Sequence, residues 1–337
     1  SAGLSPAGSV RRGASPPQTR GERKSDMKFP SSELLRVFCT ALSSLVLCAS
    51  ASAHDLQRLA AGTVFRDCAD CPAMVVIPPG RFSMGSPAGE AGRFADEGPQ
   101  HAVAIRRAYA AGRYEVTRGQ FAAFAQATGY AAAGCHEWNG GYWEKNDALS
   151  WRNPGFAQSD DDPVVCVSWQ DARAYADWLA RRSGKRYRLL TEAQWEYAAR
   201  AGSAASRPWG EHAAAACGHG NVADASARSG VSGASSWTTH ECDDGKAHTA
   251  PVGSYQPNAF GLYDMIGNAW EWTEDCWNAG YADAPANGAA RLSGDCAQRV
   301  LRGGSWFNTP QSARSASRYR SPVDFRFNCY GFRVART

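Results

Sequence analysis

The chain has 337 residues, 36 Lys and Arg against 32 Asp and Glu, and a net charge of +4, enough length for one large domain or two small ones. The whole of that excess lies in the first 36 residues, which hold seven basic and three acidic side chains. The remainder is close to neutral, which argues against nucleic acid or an anionic membrane surface as a partner.

With 34 Gly, 12 Trp and few helical periods, the composition suggests a loop-rich fold whose gaps are filled by aromatic rings. Residues 1–26 are rich in Ser, Pro, Gly and Arg and read as a disordered extension upstream of a true start at Met27. Residues 27–53 read as a secretory signal. Lys28 and Arg36 come early, an apolar stretch covers 37–48, and Ala49, Ser50, Ala51, Ser52 and Ala53 supply small-residue cleavage positions. Leu47 is too large before a lipidated Cys48, and the apolar run is too short and broken for an anchor. The expectation is a secreted or periplasmic protein with no stable membrane insertion after signal cleavage. Residues 54–71 read as a linker, with a helical turn around 56–60, and 72–337 as the folded domain.

Residues 74–78 form an apolar strand, turned by Pro79 and Gly80 into a second strand at 81–85. A Gly/Glu/Pro loop covers 86–100. Apolar and polar residues alternate over 101–106, as in a half-buried strand, and 114–116 reads as another short strand. Three helices start with the same chemistry. Thr117 with Gln120, Ser168 with Asp171, and Thr191 with Gln194 each place a hydroxyl cap three residues before a side chain that reaches back to it. Gly129, Gly184 and Gly202 mark the ends. Beyond Gly202 regular pattern fades, and only short strands near 250–253, 270–272, 299–302 and 331–335 stand out.

Cys39 and Cys48 fall in the signal, leaving nine cysteines that an oxidising compartment would pair. Proximity along the chain suggests Cys68–Cys71, Cys135–Cys166, Cys217–Cys242 and Cys276–Cys296, with Cys329 single. Cys68 and Cys71 also fit a redox CxxC, but no βαβ pattern surrounds them.

Three motifs carry a family resemblance: GNAWEW at 267–272, RVLRGGSW at 299–306 and GFRVAR at 331–336. With an Arg-rich loop between the last two, they resemble the formylglycine-generating enzyme, or sulfatase-modifying factor, family from about Met74 to the end. The resemblance implies a C-type-lectin-like α+β fold with short antiparallel strands, about three helices and many long loops. It also implies structural calcium at one or two sites. One would use Asn221, Asp244 and the carbonyls of Val222 and Lys246. The other would use Asp264, Glu271 and the carbonyls of Gly267 and Ala269. Carboxylates, amides and carbonyls in loops are what calcium takes. Asp264 stands where the family usually has Asn.

Enzymes of this family oxidise a client cysteine with copper and oxygen, and two cysteines just after the GGS turn hold the copper. Those positions fall at Asn308 and Ala313 here. Neither supplies the soft thiolate that Cu(I) selects, so copper is not expected and no catalytic residue is assigned. Ser305, Trp306, Asn308, Arg314, Arg318 and Arg320 would line the remaining groove. Arginine forks and an apolar wall suit a peptide, a protein or a small anionic ligand; the same arginines could instead neutralise the acidic loops over 241–275. His136, His240 and His248 belong to no nucleophilic motif. Three functions stay open. The chain could be a divergent factor maturing a protein or metabolite, or a lectin-like binding module showing its Arg/Trp loop to a peptide, glycan or partner protein. It could also be an accessory subunit of a periplasmic complex. Relatives that act on small molecules through iron-binding histidines carry an extra domain that this chain does not match.

Overall fold

The computed structural model describes residues 56–337. The expected extension, signal and first two linker residues lie outside the described residues.

The helices form where local chemistry demands them. Helix α1 is Arg118–Thr128, α2 is Trp169–Ser183 and α3 is Glu192–Arg200. In each, the cap hydroxyl accepts the N–H three residues on, and the Gln or Asp there accepts the cap N–H. Two orphan donors are thereby satisfied at every start. Gly129 and Gly184 close α1 and α2 in the left-handed region, whereas α3 closes on Ala201, one residue before the expected Gly202. A short fourth helix, α4, spans Ala225–Gly230.

Thirteen short strands are described. They are β1 Val64–Phe65, β2 Met74–Ile77, β3 Gly80–Met84, β4 His101–Ile105, β5 Tyr109–Gly112, β6 Cys135–Trp138 and β7 Trp143–Asn146. They continue as β8 Tyr187–Leu189, β9 Trp270–Trp277, β10 Asp295–Arg302, β11 Arg318–Pro322, β12 Tyr330–Gly331 and β13 Val334–Arg336. A five-stranded sheet runs β1-β2-β5-β13-β8 and a four-stranded sheet runs β11-β10-β9-β12. Strands β3 and β4 pair with each other, as do β6 and β7. Every pairing is antiparallel except β12 with β9.

Four expectations need correction. The strand read at 114–116 is irregular, and the strand lies instead at β5. All four residues of β5 are buried, so no alternation advertised it. Residues 250–253 form a turn. The single strand expected at 331–335 is two, β12 in one sheet and β13 in the other, with Phe332 and Arg333 at the switch. The segment read as a linker belongs to the domain: Leu56 and Phe65 pack in the main core, β1 edges the large sheet, and residues 56–59 turn without forming a helix. The hairpin β6–β7 was not foreseen.

Four disulfides join Cys68 to Cys71, Cys135 to Cys166, Cys217 to Cys242 and Cys276 to Cys296, and Cys329 is a buried free thiol. The larger core cluster takes in Phe121, Phe124, Tyr175, Trp272, Trp306 and Phe332. In GNAWEW, Trp272 is buried, donates its indole N–H to Val167 O at 2.9 Å and meets Tyr330 edge-on. Trp272→Ala is expected to cost about 3–5 kcal/mol, read as a lowered urea midpoint; an unchanged midpoint would remove this tryptophan from the core's support.

Candidate functional site

The turn after β10 is fixed by its glycines. Gly303 and Gly304 both have positive φ, and a Cβ on Gly303 would lie 3.0 Å from the Trp195 ring and 3.1 Å from Met265 O. No other residue fits that approach without displacing core atoms. Ser305 follows, and its N–H and its hydroxyl both donate to Asn308 Oδ1 at 2.8 Å. Asn308 thus locks the turn through its side chain. Ala313 is fully buried. Cys329 lies against the Ser305 hydroxyl, and burial pushes its thiol well above the usual range. A buried neutral thiol is neither a nucleophile nor a good metal ligand.

Aromatic rings surround this turn. Trp306 is buried, with His248 at 4.9 Å, Phe307 at 5.3 Å and Phe156 at 5.8 Å between ring centres. Phe156 stacks on His248 at 4.4 Å, and burial lowers the His248 pKa, favouring the neutral ring. Phe307 continues outward to Trp143 at 4.9 Å, which meets Trp138 at 5.0 Å; Trp138 meets Trp237 at 5.8 Å. Trp143 is 38% exposed and its neighbour Tyr142 is 61% exposed. The rings form a ledge that runs from the buried turn to the tip of the β6–β7 hairpin. The Cys135–Cys166 disulfide anchors the base of that hairpin. The sequence reading missed the ledge apart from Trp306. Its one local signal was Asn139-Gly140-Gly141, a hairpin turn between two aromatic flanks.

The arginines do not line an open groove as expected. Arg314 is buried and its guanidinium is filled. It holds Glu97, reaches Glu90 at 2.5 Å, and donates to Gln311 O and Gly92 O. Arg318 is buried under Trp277 and Tyr281. It donates to Glu192 at 2.6 Å and to the carbonyls of Asp96 and Asn278. A ligand would have to displace carboxylates from both. Arg320 alone of the three is exposed, lying over Trp277 at 4.9 Å.

The two residue sets expected to hold calcium adjoin. Asn268 N–H donates to Asn221 O at 2.7 Å, and a Cβ on Gly267 would strike that same oxygen. Asn221 is buried, donates to His248 O at 2.7 Å, and leaves its Oδ1 without a partner. Asp244 is half-buried and accepts from Lys246 N–H and from the Tyr255 hydroxyl, both at 2.7 Å. Burial pushes its pKa up to about 6, with Asp224 adding to the shift. In the other set Asp264 is buried, accepts from Gly253 N–H at 2.7 Å, and leaves Oδ1 without a partner. Burial pushes it up to about 6 as well. Both oxygens of Glu271 are engaged by Arg333, and one also accepts from the Trp195 indole at 2.8 Å. Glu115, not foreseen from sequence, lies alongside. It accepts from Asn268 and from Ala269 N–H, and burial, with Asp264 and Glu271 nearby, raises its pKa well above the carboxylate range.

Among the described residues no three His, Cys, Asp or Glu side chains group as a metal cage. The oxygen set here is different in kind, relying on one or two carboxylates plus amide and backbone oxygens. An unpartnered buried oxygen in each set fits a cation supplied with such donors.

The profile of the Sulfatase-modifying factor enzyme 1-like domain matches residues 60–337. The chain is 33% identical over 301 residues to the formylglycine-generating enzyme of Streptomyces coelicolor, covering 77% of this chain and 88% of that one. It is 30% identical over 298 residues to the inactive C-alpha-formylglycine-generating enzyme 2 of Bos taurus, covering 78% and 87%. Among solved structures it is similar to PvdO from Pseudomonas aeruginosa, with a TM-score of 0.71 and 39% identity, covering 82% of this chain and 99% of that one.

Removing one partner of a buried ion pair typically costs about 3–5 kcal/mol, so Arg318→Ala should lower the melting temperature strongly and Arg320→Ala should leave it nearly unchanged. Equal melting curves for the two variants would return Arg318 to the surface.

Proposed function

This chain belongs to the sulfatase-modifying factor, or formylglycine-generating enzyme, family and has its C-type-lectin-like α+β fold; on that premise we propose that it is a secreted or periplasmic maturation factor. It acts on a protein or metabolite held at the aromatic ledge and is not a copper-dependent formylglycine generator. One observation carries the reading. The positions that hold copper thiolates in the enzymes are a turn-locking Asn308 and a buried Ala313, while a ring-lined surface lies beside them. Copper therefore does not fit, and no step is routed through it.

What this chain's residues can do is bind and orient. Trp143, Phe307 and Trp237 offer half-exposed faces against which a ligand buries apolar or ring surface. Asn308 keeps an amide N–H₂ beside them after its oxygen is spent on Ser305. Arg320 is the arginine of the expected set still available to an anionic group. The ligand class this favours is a peptide or small molecule carrying an apolar or aromatic portion. A second reading, a binding module without chemistry, draws support from Cys329, whose buried neutral thiol gives the site no nucleophile. Secretion is supported by four disulfides. No helix among the described residues is long and apolar enough to cross a membrane.

Calcium is part of the proposal as a structural ion. Asn221, Asp244 and the carbonyls of Val222 and Lys246 would hold one ion. Asp264 and the carbonyls of Gly267 and Ala269 would hold the other; Glu271, expected to join them, is set aside as a side-chain ligand because both of its oxygens are taken by Arg333. Bound there, the ion supplies positive charge to buried oxygens and ties loops to β9.

Two experiments test these readings. Purified protein incubated with copper, oxygen and a CxPxR-type peptide should give no aldehyde by mass spectrometry. Incubated with periplasmic extract, it should change the mass of a peptide or metabolite, and Trp143→Ala with Phe307→Ala should abolish that change. Enrichment without a mass change selects the binding module, and aldehyde product overturns the proposal.

For calcium, chelated protein should gain thermal stability on titration with the ion, by an amount growing as RT ln(1 + [Ca]/Kd), and Asp264→Ala should lose most of that gain. A melting curve insensitive to calcium would remove the ion from the account.

A further inference from the structure

A separate cleft of about 470 Å³ opens where the N-terminal turn, the β4–β5 connection and the final strand meet. Its walls carry Arg107, Arg186 and Arg336, with Gln57, Gln194 and Thr337 beside them, and no Asp or Glu side chain among the described residues that line it. It shares no lining residue with the aromatic ledge and does not depend on the reading of that site.

The cleft is prearranged. Gln57 grips the backbone of Ala108 from both sides, donating to its carbonyl at 2.9 Å and accepting from its N–H at 3.3 Å, which fixes the loop that bears Arg107. Thr337 N–H donates to Arg186 O at 3.1 Å and fixes the base of the second arginine. Arg336 is a buried member of β13, paired with Asp67 at 3.1 Å and lying over the Phe65 ring at 5.4 Å. It forms a charged floor already shared with an acid. Arg107 and Arg186 are exposed at the walls. Like charges converging on a concave surface with no acidic side chain among its described lining create a positive potential that a mobile anion relieves.

We propose that this cleft binds a phosphate-class dianion, gripped by Arg107 and Arg186 over the floor made by Arg336. A single phosphate group carries close to two charges at neutral pH and three acceptor oxygens. Two guanidinium forks can therefore hold one such group at once, each with paired N–H donors. The phosphate could come from a soluble compound or from a lipid headgroup.

The test is calorimetric titration of the mature protein with inorganic phosphate at low ionic strength, with co-sedimentation on vesicles containing phosphatidic acid, whose headgroup is a phosphomonoester, as a second arm. Saturable phosphate binding should weaken by about tenfold or more in the double variant Arg107→Gln, Arg186→Gln. It should be unchanged in Arg81→Gln, an exposed arginine on β3 away from the cleft. Thermal melting checks that the double variant is folded, as expected for exposed positions. Vesicle binding without inorganic phosphate binding, abolished in the double variant, keeps the assignment and makes lipid its source. The proposal falls if neither probe binds, if the double variant binds as well as the parent, or if Arg81→Gln weakens binding equally.

Discussion

The structure rests on arginines of its last forty residues reaching back into buried carboxylates far away in the chain. Arg302 holds Glu196 at 2.6 Å and Glu192 at 3.1 Å, Arg318 holds Glu192, Arg314 holds Glu97, and Arg333 holds Glu271. Each pair is almost fully buried. Such pairs add less net stability than their geometry suggests, because both ions lose water. Their strength lies in the cost of getting them wrong. A C-terminal segment shifted by one residue would strand several charges in the interior, so one register is selected for a segment with little regular structure of its own.

That selection sets the site. Arg302 ends β10 and also donates to the carbonyls of Ser315 and Ala316. It therefore holds both the strand entering the GGS turn and the segment leaving it. Between those fixed points, Asn308 closes the turn on Ser305 and Trp306 is driven into the core. The ledge can then extend outward, ring on ring, because its innermost member cannot move. The expected groove had the arginines as its ligands. They are instead the frame, and the exposed chemistry beside the turn is aromatic.

The helices were legible because a capping box is a local device, complete within four residues. Thr117, Ser168 and Thr191 behave as their spacing says. The C-terminal turn was legible for the same reason. What sequence did not disclose was set by tertiary contacts. β5 is buried on both faces and shows no alternation. β12 and β13 divide because Arg333 is drawn inward to Glu271, turning the chain from one sheet to the other. The sign of a charge says nothing about its burial, so Arg314, Arg318 and Arg320 read alike and end in different places. Ledge members such as Phe156, Trp143 and Trp237 come from three separate loops or hairpins, and no window of sequence contains them together.

A charge count separates two buried centres that look alike in composition. Around α3, Glu192 and Glu196 meet Arg200, Arg302 and Arg318, so the carboxylates are fully matched by cations. Arginine attraction there overcomes burial and holds Glu192 below the ordinary carboxylate range. Around GNAWEW, Glu115, Asp264 and Glu271 are served by Arg333 alone, and Asn268 adds only a neutral donor. Glu115 and Asp264 are accordingly pushed up rather than down. A buried charge without a partner must either take a proton or find a cation. In the first centre both glutamates have arginine partners, and the strain falls on the adjoining Asp275, which accepts from Glu192 N–H and is pushed up to about 7 by burial and by Glu192. The second carries an excess of negative charge and an unpartnered Asp264 oxygen, and a divalent ion would match both.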